Sequence, residues 1–261
     1  MPALHVVVPI FNERNTVEPC LDRIVAASLP DGFTRRLWLV DDHSDADSFA
    51  SVKTVVARLA AAGHDLSLDR HTINRGKGAT LQTAFDEILL VADDGDLVII
   101  QDADLEYDPS DYARLMAPII AGETNAVIGN RWAGATPPRG LKRRVHAIGN
   151  GVLTSLSNAM TGYRLNDMEC CYKLLTIPVL RRVRPMLTEP RFGIEPQLVA
   201  SLARIGEGLV EVPIKYEPRG FGDGKKIGWT DGVRALIVIA RERFGARPRT
   251  AKTQVNGEAT S

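Results

Sequence analysis

The feature that most constrains this chain is a repeated alternation of short, β-branched apolar runs with helix-period stretches. "LHVVVP" leads to a helix near Val17 to Ala27, and "RLWLVDD" to one near Asp47 to Ala62. "DLSLDR" precedes a helix from about Ala79 to Ala92, "DLVIIQD" precedes one near Ser110 to Ile120, and "NAVIGNR" adds a further strand. Strands that are apolar throughout and alternate with helices predict an α/β fold, with a mostly parallel central sheet covered on both faces. Ligands of such sheets bind outside the carboxyl ends of the strands. The polar clusters fall at those ends: "FNE" after the first strand, "DDHS" after the second, "NRGKG" after the third and "DADLE" after the fourth. The pattern therefore gathers them along one edge.

After Arg131 the pattern changes. A basic Gly/Pro-rich loop, "WAGATPPRGLKRR", leads to a helix near Val145 to Met160. A strand at "CYKLLT", helices near Val179 and Pro196, a strand at "GLVEVPIKY" and a final helix from about Thr230 to Phe244 follow. With 261 residues and 44% hydrophobic content, the chain can sustain one large domain or two small ones. No composition shift divides it. The expectation is a single Rossmann-like domain over 1–245, with a nucleotide-facing half at 1–131 and an acceptor-facing half at 132–245. The tail at 246–261 has the composition of a disordered end.

Of the clusters, "DADLE" carries the most chemistry. Extended geometry would send Asp102, Asp104 and Glu106 to one side of the chain. Three like charges held together call for a cation, and oxygen-only ligands suit Mg²⁺ or Mn²⁺. The alternative is a solvated turn in which Asp108 and Ser110 cap the next helix. In "DDHS", Asp42 or Ser44 caps a helix, or a carboxylate accepts hydrogen bonds from a nucleobase or ribose. "NRGKG" is not a G-x-x-x-x-G-K-[ST] loop, so Gly76 and Gly78 either approach phosphate or turn the chain into the helix.

Formal net charge is zero, which gives no global field for nucleic acid. Locally, Arg131 to Arg144 contains Arg131, Arg139, Lys142, Arg143 and Arg144 and no acid. That run is either a solvated surface or a site for an anionic acceptor or anionic lipid. "GFGDGKKIGW" adds Lys225 and Lys226 after Arg219, on a glycine-rich segment suited to closing over substrate. The three cysteines include an adjacent pair and no C-x-x-C, a pattern of a reducing compartment. Like His5, they read as packing residues. The N-terminus does not read as a signal peptide, and no apolar run reaches the length of a spanning helix. The expected location is cytoplasmic or peripheral to the inner face of a membrane.

Taken together, "VVVPIFNE", "LVDDHS", "NRGKGAT", "QDADLEYDP", "VIGNR", "LNDMECCYKLL", "EPRFGIEPQLVA" and "GKKIGWTDGVRAL" occur in order. Over about residues 4 to 244 they resemble family 2 glycosyltransferases of the dolichol-phosphate mannose synthase-like branch. The resemblance implies a GT-A fold, a nucleotide-diphosphate sugar donor with a GDP or UDP leaving group, and a divalent cation, Mg²⁺ or Mn²⁺. It implies that Pro9, Phe11, Glu13 and Asp42 line the nucleoside pocket with Lys77 nearby, and that Ala103 sits among the donor-binding residues. Asp102, Asp104 and Glu106 would hold the metal. Arg131, Arg143 or Arg144, with Lys225 and Lys226, would face an acceptor phosphate.

The implied reaction is an inverting sugar transfer in which Asp104, Asp167 and Arg131 carry the chemistry. The acceptor the resemblance implies first is polyprenyl phosphate, whose oxygen is already an anion and needs no general base. A hydroxyl of a cell-surface polysaccharide or glycolipid needs one, for which Asp167 is the first candidate and Glu169 the second. Membrane contact would come through the basic loops and the final helix, or through a membrane partner protein. A dehydrogenase is excluded for want of G-x-G-x-x-G, and a sugar nucleotidyltransferase because "PIFNE" lacks a glycine-rich loop. A non-catalytic binding subunit would have lost acids of "DADLE", and none is missing.

Overall fold

A computed structural model of the chain describes residues 1–133 and 141–218, with positions 234, 237, 238 and 241 beyond them; side chains at 141–146 are not described. The strands are β1 (Ala3–Ile10), β2 (Thr34–Asp41), β3 (Leu66–Arg70), β4 (Leu97–Ile100), β5 (Ala126–Asn130), β6 (Lys173–Thr176) and β7 (Val210–Pro213). The helices are α1 (Val17–Ala26), α2 (Ala46–Ala61), α3 (Lys77–Val91), α4 (Tyr112–Ile120), α5 (Leu141–Thr161), α6 (Ile177–Val183) and α7 (Ile194–Arg204).

Local sequence explains these elements. β1 is a β-branched run with Leu4 to Val8 buried, as a strand covered on both faces requires. In α1, Val17, Cys20, Leu21 and Ile24 recur at helical spacing and form the buried stripe. Asp45 caps α2 by accepting from the Ser48 amide at 2.8 Å, so the cap of that helix is neither Asp42 nor Ser44. Asp108 accepts from the Ser110 amide at 2.9 Å and opens the 3₁₀ turn Pro109–Asp111 that leads into α4. Fully burying each core valine, leucine or phenylalanine contributes roughly 1.5–3 kcal/mol, and the sheet–helix interface is built almost entirely of such residues.

The strands form one sheet in the order β3-β2-β1-β4-β6-β5-β7. β1 runs parallel to β2 and β4, β2 parallel to β3, and β5 parallel to β7. β6 runs antiparallel to both β4 and β5. This reversal matters for function. The carboxyl ends of β1 to β5 and β7 share one edge, and the leading segment of β6, residues 167–172, reaches that same edge. Residues from both halves of the chain therefore meet there.

Two expectations fall outside the description. The predicted final helix is described only at Arg234, Ile237, Val238 and Arg241, of which all are helical. The predicted disordered tail at 246–261 is not described.

Candidate active site

Among the described residues, the non-glycine positions with positive φ are Asn12 (55°), His43 (62°) and Leu105 (65°). They lie in the loops after β1, β2 and β4. For Leu105 the left-handed backbone is costly, and such strain persists only where the surroundings enforce it. It also corrects the expectation of an extended "DADLE". β4 ends at Ile100 and residues 103–106 form turns and bends, so strand alternation does not place the three acids.

A buried polar platform supports this turn. Gln101 Oε1 accepts from the hydroxyls of Tyr112 (2.8 Å) and Tyr172 (2.6 Å), and its amide donates to the Asp102 carbonyl at 2.9 Å. Above it, Lys77 Nζ lies 2.7 Å from Asp102 Oδ1 and 2.6 Å from Glu195 Oε1. Burial opposes the Lys77 charge, but the two carboxylates outweigh it and raise its pKa well above the ordinary lysine value. Burial would likewise raise Asp102, and Lys77 overcomes that to hold it below the usual carboxylate range. The Asp104 carboxylate accepts from the Glu106 amide at 3.1 Å, and Glu106 Oε2 accepts from the Tyr216 hydroxyl at 2.8 Å.

No group of three His, Cys, Asp or Glu side chains among the described residues is gathered closely enough to cage a metal ion. The donor set nevertheless suits a hard cation. Asp102 is ionised, and Asp104 and Glu106 add oxygens on the same turn. Mg²⁺ is commonly held by one or two carboxylates together with substrate phosphates, without a complete protein cage. The residues fit that partial role.

The "NRGKG" glycines have a different use from phosphate binding. A Cβ on Gly78 would lie 2.0 Å from the Glu189 carbonyl oxygen, and one on Gly76 2.5 Å from that of Pro190. The segment Glu189–Arg191 packs directly on the first turn of α3, where the Ala79 amide donates to the Pro190 carbonyl at 2.9 Å. This contact sets the position of Lys77. Glu189 is itself buried and pairs with Arg234 (2.8 Å) and Arg241 (2.9 Å). Asp42 also serves this loop. Its carboxylate accepts from the amides of Arg75 (2.8 Å) and Gly76 (2.6 Å) and meets His71 Nδ1 at 2.8 Å. The carboxylate expected at a nucleoside is thus committed to shaping the loop beside it.

On the other half of the edge, Arg131 and Asp167 form a buried bidentate pair, with Nε–Oδ2 and Nη2–Oδ1 both 2.7 Å. The Arg131 amide also donates to Asp167 Oδ2 (3.0 Å), and Asn150 donates to Oδ1 (3.3 Å). Both oxygens of Asp167 are occupied, which suits orientation of Arg131 and not proton acceptance. Glu211 secures the turn from below by accepting from the amides of Asn166 (2.6 Å) and Asp167 (2.9 Å). The Arg131 guanidinium faces the Tyr216 ring at 5.2 Å, and Tyr216 in turn holds Glu106, so the two halves are linked.

Glu169, two residues after Asp167, is partly buried, with Oε1 lacking a hydrogen-bond partner. Burial and the nearby Glu195 charge raise its pKa to about 7, against the opposing pull of Lys173 and Arg131. Glu195 is nearly fully buried, and its Oε2 is also unpartnered.

The structure thus joins Lys77 with Asp102, Arg131 with Asp167, and Glu106 with Tyr216 on a single edge. Ala103 is buried in the "DADLE" turn, Glu13 is nearly buried after β1, and Pro9 and Phe11 are half-buried beside it. The backbones of Arg143 and Arg144 lie in the first turn of α5, outside the described side chains; Lys225 and Lys226 lie outside the described residues altogether. Sequence reasoning missed Gln101, Glu195, Glu211 and Tyr216. Glu195 had a visible alternative explanation as an acid in the first turn of a helix.

The fold and this edge define a nucleotide-sugar-dependent glycosyltransferase of the GT-A type. Residues 5–184 match glycosyl transferase family 2, and the chain belongs to that family. Its curated relatives include a dodecaprenyl-phosphate galacturonate synthase of Rhizobium johnstonii, 30% identical over 94% of this chain and 69% of the relative. An undecaprenyl-phosphate 4-deoxy-4-formamido-L-arabinose transferase of Edwardsiella ictaluri is 26% identical over 85% of this chain and 62% of its own length. Among solved structures, glucosyl-3-phosphoglycerate synthase from Mycobacterium tuberculosis, in complex with Mn²⁺, uridine diphosphate and phosphoglyceric acid, shares the fold. The TM-score is 0.65 at 18% identity, over 95% of this chain and 80% of that one.

Proposed function

We propose that this protein moves a sugar from a nucleotide-diphosphate donor to a hydroxyl group of a glycan or glycolipid, with inversion at the anomeric carbon. The Arg131–Asp167 pair carries the hydroxyl reading. The arginine expected to meet an acceptor phosphate is buried and already neutralised by a carboxylate. Close by in the chain, Glu169 offers a carboxyl whose pKa, near 7, suits a general base at neutral pH.

In this reading the acceptor oxygen forms a bond to the anomeric carbon as the bond from that carbon to the diphosphate breaks. The acceptor proton passes to Glu169, and the electron pair leaves with the nucleoside diphosphate. Asp102, Asp104 and Glu106 are the residues to hold a divalent cation, which when bound would neutralise charge on the departing diphosphate. Lys77 adds a fixed positive charge on the same side. Pro9, Phe11 and Glu13 would meet the nucleoside, and Asp42 shapes the loop beside it. The solved relative with Mn²⁺ and uridine diphosphate supports such a donor and cation.

A second reading, transfer to polyprenyl phosphate, is favoured by the names of the curated relatives. It needs no general base, and Arg131 would position the phosphate. The two are separated by supplying the donor found by sugar-nucleotide screening with Mn²⁺ to both acceptor classes. Product on a hydroxyl acceptor, abolished by Glu169→Gln, supports the first reading. Product only on polyprenyl phosphate, unaffected by Glu169→Gln, establishes the second.

A further inference from the structure

Lys77 claims both oxygens of Asp102. Its ammonium lies 2.7 Å from Oδ1 and 3.0 Å from Oδ2, and a third contact reaches Glu195 Oε1 at 2.6 Å. These three contacts match the three N–H donors of an ammonium. Only 12% of the Lys77 side chain is exposed, so water screens its charge weakly. The position is fixed from behind. Lys77 opens α3, where the Ala79 amide donates to the Pro190 carbonyl at 2.9 Å and the Gly76 amide to Asp42 Oδ2 at 2.6 Å. Further along the helix, Gln82 donates to the Glu189 carbonyl at 2.9 Å. The ammonium is therefore carried on a clamped helix start and not on a free loop.

This arrangement acts against the divalent cation that Asp102, Asp104 and Glu106 would hold. While its oxygens serve Lys77, Asp102 cannot bond such an ion at full strength, because two positive charges on one weakly screened carboxylate repel each other. A diphosphate reverses the balance, since its negative charge attracts both the ammonium and the ion. Glu195 lets Lys77 yield without being expelled. Glu195 Oε2 is buried and has no hydrogen-bond partner, while Oε1 already accepts from Lys77. A small movement of the ammonium from Asp102 toward that second oxygen, or toward a phosphate oxygen, releases Asp102 and keeps the lysine paired.

We propose that Lys77 is an internal competitor for Asp102 that makes the divalent cation and the nucleotide diphosphate bind as a pair. Coupling of this kind is reciprocal, so each ligand raises the affinity for the other by the same factor. The pairing rests on the nucleotide-diphosphate reading of the donor. The competition between Lys77 and a metal ion does not, and neither depends on the acceptor class.

The test titrates Mn²⁺ alone into the full chain as wild type, Lys77→Met and Lys77→Gln, with unbound Mn²⁺ read by electron paramagnetic resonance. Both neutral variants should bind Mn²⁺ about tenfold or more tightly than wild type, and adding Asp104→Ala to Lys77→Met should remove that gain. Lys77→Gln retains hydrogen-bond donors toward the two acids, and a cooperative thermal transition confirms that each variant is folded. In wild type, UDP or GDP should tighten Mn²⁺ binding beyond what the nucleotide's own Mn²⁺ complex accounts for. That gain should shrink in both variants. Mn²⁺ affinity that is equal or weaker in both variants overturns the proposal, as does a gain that survives Asp104→Ala, because the ion then sits elsewhere. Tighter Mn²⁺ binding in the variants with no effect of either nucleotide on any of the proteins overturns the pairing together with the donor reading. Equal Mn²⁺ affinity in all the proteins overturns the pairing alone, so the two readings fail separately.

Discussion

Arg131 grips Asp167 through two hydrogen bonds of 2.7 Å, across 36 positions of sequence and with both side chains buried. The pair ties the end of β5 to the segment that leads into β6, and so fixes the acceptor-side half of the site. Removing one partner of a buried, hydrogen-bonded ion pair typically costs about 3–5 kcal/mol, because the other charge is left uncompensated. Asp167→Asn should therefore lower the unfolding free energy by roughly that amount. Denaturant unfolding checks this. A variant that keeps its stability and loses only turnover would return Asp167 to the role of general base.

The pH dependence should follow Glu169. Its carboxyl is held near 7, above the ordinary glutamate value, by burial and by Glu195, with Asp167 adding and Lys173 and Arg131 opposing. The folded state therefore prefers the protonated form. As pH rises from the ordinary glutamate range to about 7, Glu169 contributes progressively less stability, because the unfolded chain has already released that proton. The ability to accept a proton grows over the same interval. Turnover on a hydroxyl acceptor should rise through pH 7, and Glu169→Gln should remove that limb while making the protein more stable at pH 8. A limb that persists in Glu169→Gln assigns it to another group.

Lys77 should matter for the donor more than for the fold. Lys77→Met leaves Asp102 and Glu195 without their shared cation, so Asp102 should titrate higher and the site should become more negative. Donor affinity is expected to fall about tenfold or more, measured by calorimetry, since a charged hydrogen bond contributes on the order of 1.5–3 kcal/mol. Unchanged donor affinity would mean that Lys77 acts only within the protein.

Gly78→Ala tests the packing of the 189–191 segment. The added Cβ would meet the Glu189 carbonyl oxygen at 2.0 Å, and backbone cannot swing aside as a long side chain can. A loss of about 1–3 kcal/mol or more is expected, accompanied by weaker donor binding as Lys77 shifts. Thermal unfolding and donor titration of the same variant report the two effects. An unperturbed melting temperature would refute the close contact.

Much of this architecture is legible in the sequence because it is local. Apolar runs such as Val6 to Val8 and Val98 to Ile100 announce strands, and the loops after them announce the site edge. What is hidden depends on contacts between distant residues. "CYKLLT" reads as a strand, but nothing in it says that the strand runs backward and delivers its leading end to the site. Alternation in "DADLE" suggests extended chain, whereas Leu105 adopts a left-handed backbone within a turn fixed by Gln101, Tyr112 and Tyr172. Asp167 stands out as an acid in a recognisable block, but its partner Arg131 is visible only once β5 and β6 are side by side. Gly76 and Gly78 resemble a phosphate loop because close approach to a phosphate and close approach to another backbone require the same missing Cβ.

The central claim is that the acids of the "DADLE" turn bind a sugar nucleotide together with a divalent cation. Thermal unfolding with a panel of GDP- and UDP-sugars, with and without Mn²⁺, measures this directly because ligand binding raises stability with affinity. One donor should stabilise the wild-type protein only when Mn²⁺ is present, and Asp104→Ala should abolish that shift while unfolding at the same temperature without ligand. A Mn²⁺-dependent shift that survives in Asp104→Ala and in Asp102→Asn would contradict the account.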